Sequence, residues 1–217
     1  GRYRGLTRLN GDRRLRQFRV GSGLAADAVT VLRVHPQGGM WLGSSVGLFR
    51  ATLTDADLHL QPELQQVVWS LVQDRSGRWW AGTENGIWRR EREQWVAASV
   101  DPGLLKAHVW SLAFDAAGRG YAGYRGGLAI TDADAFVPWS LTARLPNPVV
   151  RAVLPESDGA FWLATAGGGL GALRAYKPGE KRDRDVTTAF LVDMSSSTDR
   201  KIDGRKSIID IEKEALL

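Results

Sequence analysis

The stretch Val68-Trp-Ser-Leu-Val-Gln-Asp-Arg-Ser-Gly-Arg-Trp-Trp-Ala-Gly82, which runs on to the pair Gly86-Ile87, decides the fold because it recurs. Val29 to Gly43, Val109 to Gly123 and Val150 to Ala164 align with it at spacings of 39, 41 and 41 residues. Each copy has its own glycine plus aliphatic pair, at Gly47-Leu48, Gly127-Leu128 and Gly169-Leu170, and Gly5-Leu6 is the same pair from a preceding, truncated copy. Within a copy, an apolar, β-branched run (strand A) meets a polar turn ending in glycine, such as Asp74 to Gly77 or Asp115 to Gly118. A run centred on Trp41, Trp80, Tyr121 or Trp162 (strand B) follows, then the glycine-aliphatic strand C and an outer strand D, as at Leu15 to Phe18 or Gln94 to Ala97. Four short strands in about 40 residues mark a propeller blade, with the aromatic fitted between neighbouring blades and the glycine permitting close backbone approach. The expected fold is all-β over residues 1–176: four β-propeller-type blades of four strands plus a partial one.

Composition narrows the alternatives. A chain of 217 residues with 43% hydrophobic and 24% charged residues is not disordered, and it contains no run of about 18 apolar residues to span a membrane. It has no cysteine, which removes disulfides, thiolate metal sites and cysteine nucleophiles. It begins at Gly1 without a signal peptide, so it reads as a piece of a longer chain. The net charge of +5 is local: Arg2, Arg4, Arg8, Arg13, Arg14, Arg16 and Arg19 crowd the first 19 residues against one acid, while the repeats are nearly neutral. That cluster lacks interleaved stacking aromatics, so no nucleic-acid partner is expected.

The pattern Val-x-Ser-Leu-x-x-Asp-x-x-Gly-x-x-Trp-x-Gly-Thr-x-x-Gly-Ile, almost whole at Val68 to Ile87, resembles the two-component regulator propeller repeat, as does Gly21-Ser-Gly-Leu24 before the first full copy. The resemblance covers residues 1–175 and departs at Gly120-Tyr121 and Ala164-Thr165. It implies the periplasmic sensor region of a bacterial signalling protein, often a hybrid histidine kinase or a cyclic-dinucleotide enzyme, whose propeller recognises small ligands such as carbohydrates. It also implies closure by about seven blades. The partners expected on that basis are missing blades or an attached signalling domain, with self-association through uncovered blade faces and a membrane reached only through segments outside this sequence.

A ligand is expected at the channel mouth, where the loops before strand A meet the B-to-C turns. Repeat-equivalent Thr30, Trp69, Trp110 and Arg151 lie there with Glu84, Asn85, Tyr124 and Arg125. Aromatics beside arginines and a carboxylate suit a carbohydrate or small anionic ligand. The competing reading packs Trp69 and Trp110 between blades, since they alternate with Ser70 and Ser111. Catalysis is not expected: His35, His59 and His108 stand apart, and Ala166-Gly-Gly-Gly-Leu170 occupies a B-to-C turn, where a phosphate loop would need a strand-to-helix turn.

Composition breaks near residue 176. All nine tryptophans precede it, while five of six lysines follow. Residues 177–185 read as a charged linker and 186–217 as the strand, loop and helix that open an α/β unit: an apolar run to Asp193, an Asp-x-Ser-x-Ser loop, and a helix capped at Ser207. Asp193, Ser195 and Ser197 are hard oxygen ligands suited to Mg²⁺. This pattern resembles the metal-ion-dependent adhesion site of von Willebrand factor A domains, and Phe190 to Leu217 is similar to the nitric oxide reductase activation protein family. Three functions follow as expectations: a non-enzymatic ligand-sensing propeller segment of a bacterial signal-transduction protein, a Mg²⁺-dependent protein assisting nitric oxide reductase assembly, or a chimeric fragment. The first places the chain in the periplasm and the second in the cytoplasm.

Overall fold

A computed structural model describes residues 5–10, 13–18, 28–54, 57–98, 101–132, 135–145, 147–156, 160–167, 169–174, 190–192, 201–202 and 206–207. It opens with a hairpin of β1 (Leu6–Asn10) and β2 (Arg13–Phe18). Four antiparallel four-stranded sheets follow, each wound A, B, C, D in chain order. The first comprises β3 (Val29–Val34), β4 (Met40–Ser44), β5 (Gly47–Leu53) and β6 (Leu58–Leu64). The second comprises β7 (Val68–Gln73), β8 (Trp79–Thr83), β9 (Gly86–Glu91) and β10 (Gln94–Ala97). The third comprises β11 (Val109–Phe114), β12 (Gly120–Tyr124), β13 (Gly127–Asp132) and β14 (Ala135–Pro138). The fourth comprises β15 (Val150–Pro155), β16 (Ala160–Thr165), β17 (Gly169–Arg174) and β18 (Phe190–Val192). Among the described residues these sheets make four propeller blades, and the β1–β2 hairpin packs beside the first of them.

The recurrent strand-B aromatic is the centre of each blade-to-blade core. Trp41 packs edge-on to Trp79 and Trp95 of the next blade, Trp80 on Phe114 and Phe136, and Tyr121 on Phe161. Leu71, Leu112 and Val153 of strand A fill the same seams from the following blade. A one-turn helix, α1 (Pro102–Leu105), capped by Asp101 accepting from the Leu104 amide at 2.9 Å, closes the loop between the second and third blades. Its Leu104 carbonyl approaches within 2.9 Å of where a Cβ on Gly86 would stand, and Gly86 has a φ of +85°, so only glycine suits this turn.

The tail departs from the expectation of a separate α/β unit. Phe190–Val192 pairs antiparallel with β17, Leu170 opposite Val192, and so supplies strand D of the last blade. The apolar run satisfies a free sheet edge already at hand, which needs no new core. Lys201–Ile202 and Lys206–Ser207 form a small antiparallel pair, which puts Ser207 in a strand at the position read as a helix cap. The linker 177–185, the loop with Asp193, Ser195 and Ser197, and residues 208–217 lie outside the described residues. No helix among the described residues is long and apolar enough to cross a membrane.

Candidate functional site

Every strand A begins with a register shift, and the shifts span Val29 to Val31, Val68 to Ser70, Val109 to Ser111 and Val150 to Ala152. The extra residues are Thr30, Trp69, Trp110 and Arg151, the four repeat-equivalent positions expected at the channel mouth. A bulge tilts its side chain out of the pleat, which frees these positions from the alternation that would bury them between blades. Trp69 is 38% exposed and Trp110 is half-buried, and neither joins the interblade cores. The packing duty falls on the next residue instead. Ser70 Oγ accepts from the Leu112 amide at 3.0 Å and Ser111 Oγ from the Val153 amide at 3.1 Å, tying each inner strand to the next. Thr30 Oγ1 donates to the Val68 carbonyl, so Thr30 serves the same lacing.

The B-to-C turns are pinned beside the start of strand A by one repeated main-chain bond. The amides of Ser45, Glu84, Arg125 and Ala166 donate to the carbonyls of Ala28, Val67, His108 and Val149. At the last two blades this gathers a cationic and aromatic group. The Arg151 guanidinium carbon lies 3.9 Å from the Trp110 ring centroid, the His108 and Trp110 ring centroids lie 6.1 Å apart, and the amide of exposed Arg125 donates to the His108 carbonyl. Arg151 on an indole face is a cation–π pair that keeps the guanidinium's in-plane N–H groups available to an acceptor. Glu84 turns inward, its Oε1 accepting from the Val67 amide at 3.4 Å, and Asn85 donates to Gln66 Oε1 at 2.8 Å. Tyr124 is not at the mouth. It is buried in the core between the second and third blades, where burial and then the Asp101 charge push its phenol up. Its place beside the B-to-C turn predicted it at the mouth, but as the last residue of β12 its side chain points across the seam.

The opposite end of the blades carries a second repeated device that the sequence reading took for a plain polar turn. Asp74 accepts from the Ser76 amide and hydroxyl, the Arg78 amide and Nε, and Trp80 Nε1, all at 2.6–3.0 Å. Asp115 accepts from the Ala117 and Arg119 amides and from the Tyr121 hydroxyl at 3.0 Å, and Glu156 accepts from Trp162 Nε1 at 2.5 Å. Burial, the Asp115 charge and that hydrogen bond push the Tyr121 phenol up to about 12. The acid of the A-to-B turn thus anchors the aromatic six positions later, a spacing visible in three copies. Between the second and third blades these turns enclose a groove of about 230 Å³ lined by Asp74, Arg75, Arg78, Trp80, Phe114 and Thr131.

The first complete blade replaces the acid with His35. Its ring is 4.7 Å from that of Trp41, its Nδ1 accepts from the Gln37 amide at 3.1 Å, and Trp41 Nε1 is buried with no hydrogen-bond partner among the described residues. Burial and the charges of Arg50 and Arg90 hold His35 below its ordinary value of 6.5. The folded state therefore refuses a proton that the unfolded chain accepts, and stability falls as pH drops below about 6.5. His35→Asp is expected to raise stability by about 1 kcal/mol at pH 7 in urea unfolding, by giving Trp41 Nε1 the acceptor that Trp80 has. It is also expected to remove the loss of stability just below pH 6.5. A less stable variant would reject this account of Trp41.

Among the described residues no group of three or more His, Cys, Asp or Glu is placed to hold a metal ion. The two component regulator propeller family matches residues 62–85. No curated protein matches the chain. Among solved structures, the extracellular domain of a hybrid two component system from B. thetaiotaomicron matches at TM-score 0.62 and 22% identity, over 82% of this chain and 25% of that one. The extracellular domain described as a one component system from the same organism matches at 0.61 and 20%, over 76% and 24%. The virginiamycin B lyase of Staphylococcus aureus matches at 0.53 and 16%, over 78% and 57%. The chain thus spans about a quarter of the length of the two sensor structures and shares their fold. None of these matches supports a von Willebrand A domain in the tail.

Proposed function

We propose that this chain is a ligand-recognition sector of an extracytoplasmic sensor propeller, without catalytic activity of its own, that takes an anionic carbohydrate or another small anionic ligand at the channel mouth. The observation that carries the reading is the Arg151–Trp110 stack beside His108 and Arg125, presented on bulges that leave these side chains out of the blade cores. An indole face stacks on a sugar ring, and a guanidinium already held in place binds a carboxylate at lower entropic cost than a free arginine. The likeness to two-component sensor domains supports the assignment to signalling. Among the described residues near the mouth, Glu84 accepts from the Val67 amide through Oε1.

Thermal-shift and calorimetric screening with neutral and uronate-bearing oligosaccharides tests this. An acidic sugar is expected to bind, with Arg151→Ala and Trp110→Ala each weakening it at least about tenfold, the worth of one lost charge-assisted bond or stacked ring. Both variants are expected to keep the wild-type unfolding midpoint closely, since neither side chain fills a core. Binding unchanged in both variants would sink the assignment to this site.

A further inference from the structure

The groove between the A-to-B turns of the second and third blades lies at the opposite end of the strands from the channel mouth. Of about 230 Å³, it is walled by Arg75 and Ser76 of one turn and by Ala117 and Gly118 of the next, over Phe114 and Thr131. Its charges do not cancel. Asp74 commits both oxygens to five donors: Oδ1 to the Ser76 amide and hydroxyl and the Arg78 amide, Oδ2 to Arg78 Nε and Trp80 Nε1. Its side chain is 6% exposed, and Arg78, ion-paired to it at 2.8 Å, balances its charge. Arg75 is exposed and makes no ion pair among the described residues. Its stem reaches the facing turn, because Arg75 Cδ lies 3.7 Å from where a Cβ on Gly118 would stand. One net positive charge therefore rims the groove. The apolar lining comes from half-buried Phe114, whose ring centroid is 5.5 Å from that of Trp80, and from exposed Ala117. Thr131 Oγ1 accepts from the Gly120 amide at 2.8 Å, which leaves its hydroxyl proton as a second donor of the lining.

We infer that this groove is a second small-molecule site, separate from the channel mouth, for a monocarboxylate with a flat apolar body, such as an arene carboxylate. The carboxylate pairs with the Arg75 guanidinium, and the body lies against Phe114 and Ala117. A guanidinium forks onto a carboxylate through two parallel N–H bonds, and the nearest acid, Asp74, is already saturated and does not compete for Arg75. The volume is below the roughly 300–1,000 Å³ of sites for drug-sized ligands, so it suits a single ring and not an oligosaccharide. Because the two walls belong to different blades, an occupant joins the second blade to the third and stabilises the folded chain by mass action. None of the residues at the mouth takes part.

Benzoate is the probe, titrated into the full chain and followed by amide NMR shifts and the unfolding midpoint, with benzyl alcohol and acetate as the uncharged and ringless comparisons. Saturable shifts are expected at Arg75 to Arg78 and at Ala117 to Arg119, with a raised midpoint, and benzoate is expected to bind more tightly than either comparison. Arg75→Ala is expected to weaken benzoate at least about tenfold, the worth of one lost charge-assisted pair. Ala117→Phe, which fills the groove and leaves every charge in place, is expected to block it. Both side chains are exposed, so both variants are expected to keep the midpoint of the unliganded wild type. Arg151→Ala, at the mouth, should bind benzoate as wild type does, so failure at one site is told apart from failure at the other. The inference is overturned if the two turns show no saturable shift, if benzyl alcohol or acetate binds as well as benzoate, or if Arg75→Ala and Ala117→Phe bind unchanged. Loss of benzoate binding in Arg151→Ala alone would overturn it too, by placing the probe at the mouth.

Discussion

Asp74→Ala is expected to lower the free energy of unfolding by about 3 kcal/mol, because it removes one buried acceptor from several donors at once. The carboxylate closes the turn through the Ser76 and Arg78 amides and holds Trp80 Nε1 in the seam. Trp80 is 1% exposed, so its N–H has no water to turn to. Asp74→Asn keeps one oxygen and the side-chain shape, and is expected to cost about half as much. Denaturant unfolding of both variants measures this, and a loss under about 1 kcal/mol for Asp74→Ala would show that the anchor is redundant. The same residue sets an acid limit. Burial opposes its ionisation, but the bonds from Ser76, Trp80 and Arg78 outweigh burial and hold the carboxyl at about 2, against 3.8 ordinarily. The folded value lies below the unfolded one, so this stabilisation is complete above about pH 4 and is lost as the pH falls toward 2. Asp74→Asn should flatten the stability curve in that window.

Gly82→Val is expected to cost a further order of about 3 kcal/mol, through overpacking of a seam that has no room. A Cβ at Gly82 would stand 2.9 Å from both Val109 Cγ1 and the Val109 carbonyl oxygen of the next blade. The methyl can rotate, but the carbonyl belongs to the main chain of strand A and cannot move without shifting the blade. Valine suits a strand in itself, so the loss reports the seam and not local propensity. Ala164 is the repeat-equivalent position in the last blade, where the glycine has already given way. Among the described residues no blade follows it, so Ala164→Val is expected to stay within about 0.5 kcal/mol of wild type. Equal losses at the two positions would overturn the close-approach argument.

How far the fold was legible follows from the period. Strand existence, order and turn positions repeat with the sequence, so Val68 to Ile87 reads correctly as three strands and two turns, and the glycine pair at Gly5-Leu6 correctly announces a strand C. The tail misled because an apolar run such as Phe190 to Val192 carries no mark of which sheet it will join. The site was legible in part. Thr30, Trp69, Trp110 and Arg151 occupy equivalent register shifts on successive blades because they are repeat-equivalent, and of the four Arg151 stacks on Trp110. Tyr124 was misplaced, since a residue ending a strand can face the channel or the seam, and the pleat decides. His108 was set aside as a lone histidine; the structure puts its ring 6.1 Å from that of Trp110, on which Arg151 of the next blade stacks.

What the sequence by itself determined is the unit: about 40 residues wound into four short antiparallel strands, with an acid, a glycine and an aromatic at fixed offsets. Those offsets act within one blade, where contacts are close along the chain and a local pattern suffices. Only the tertiary structure decided which face each residue serves. The bulge that turns Trp110 outward, the carbonyl that demands glycine at 82 and the edge-on packing of Trp41 on Trp79 and Trp95 all depend on the neighbouring blade. They arise where two copies of the pattern meet, and the position of one copy against the next is set by packing across the seam, not by spacing along the chain.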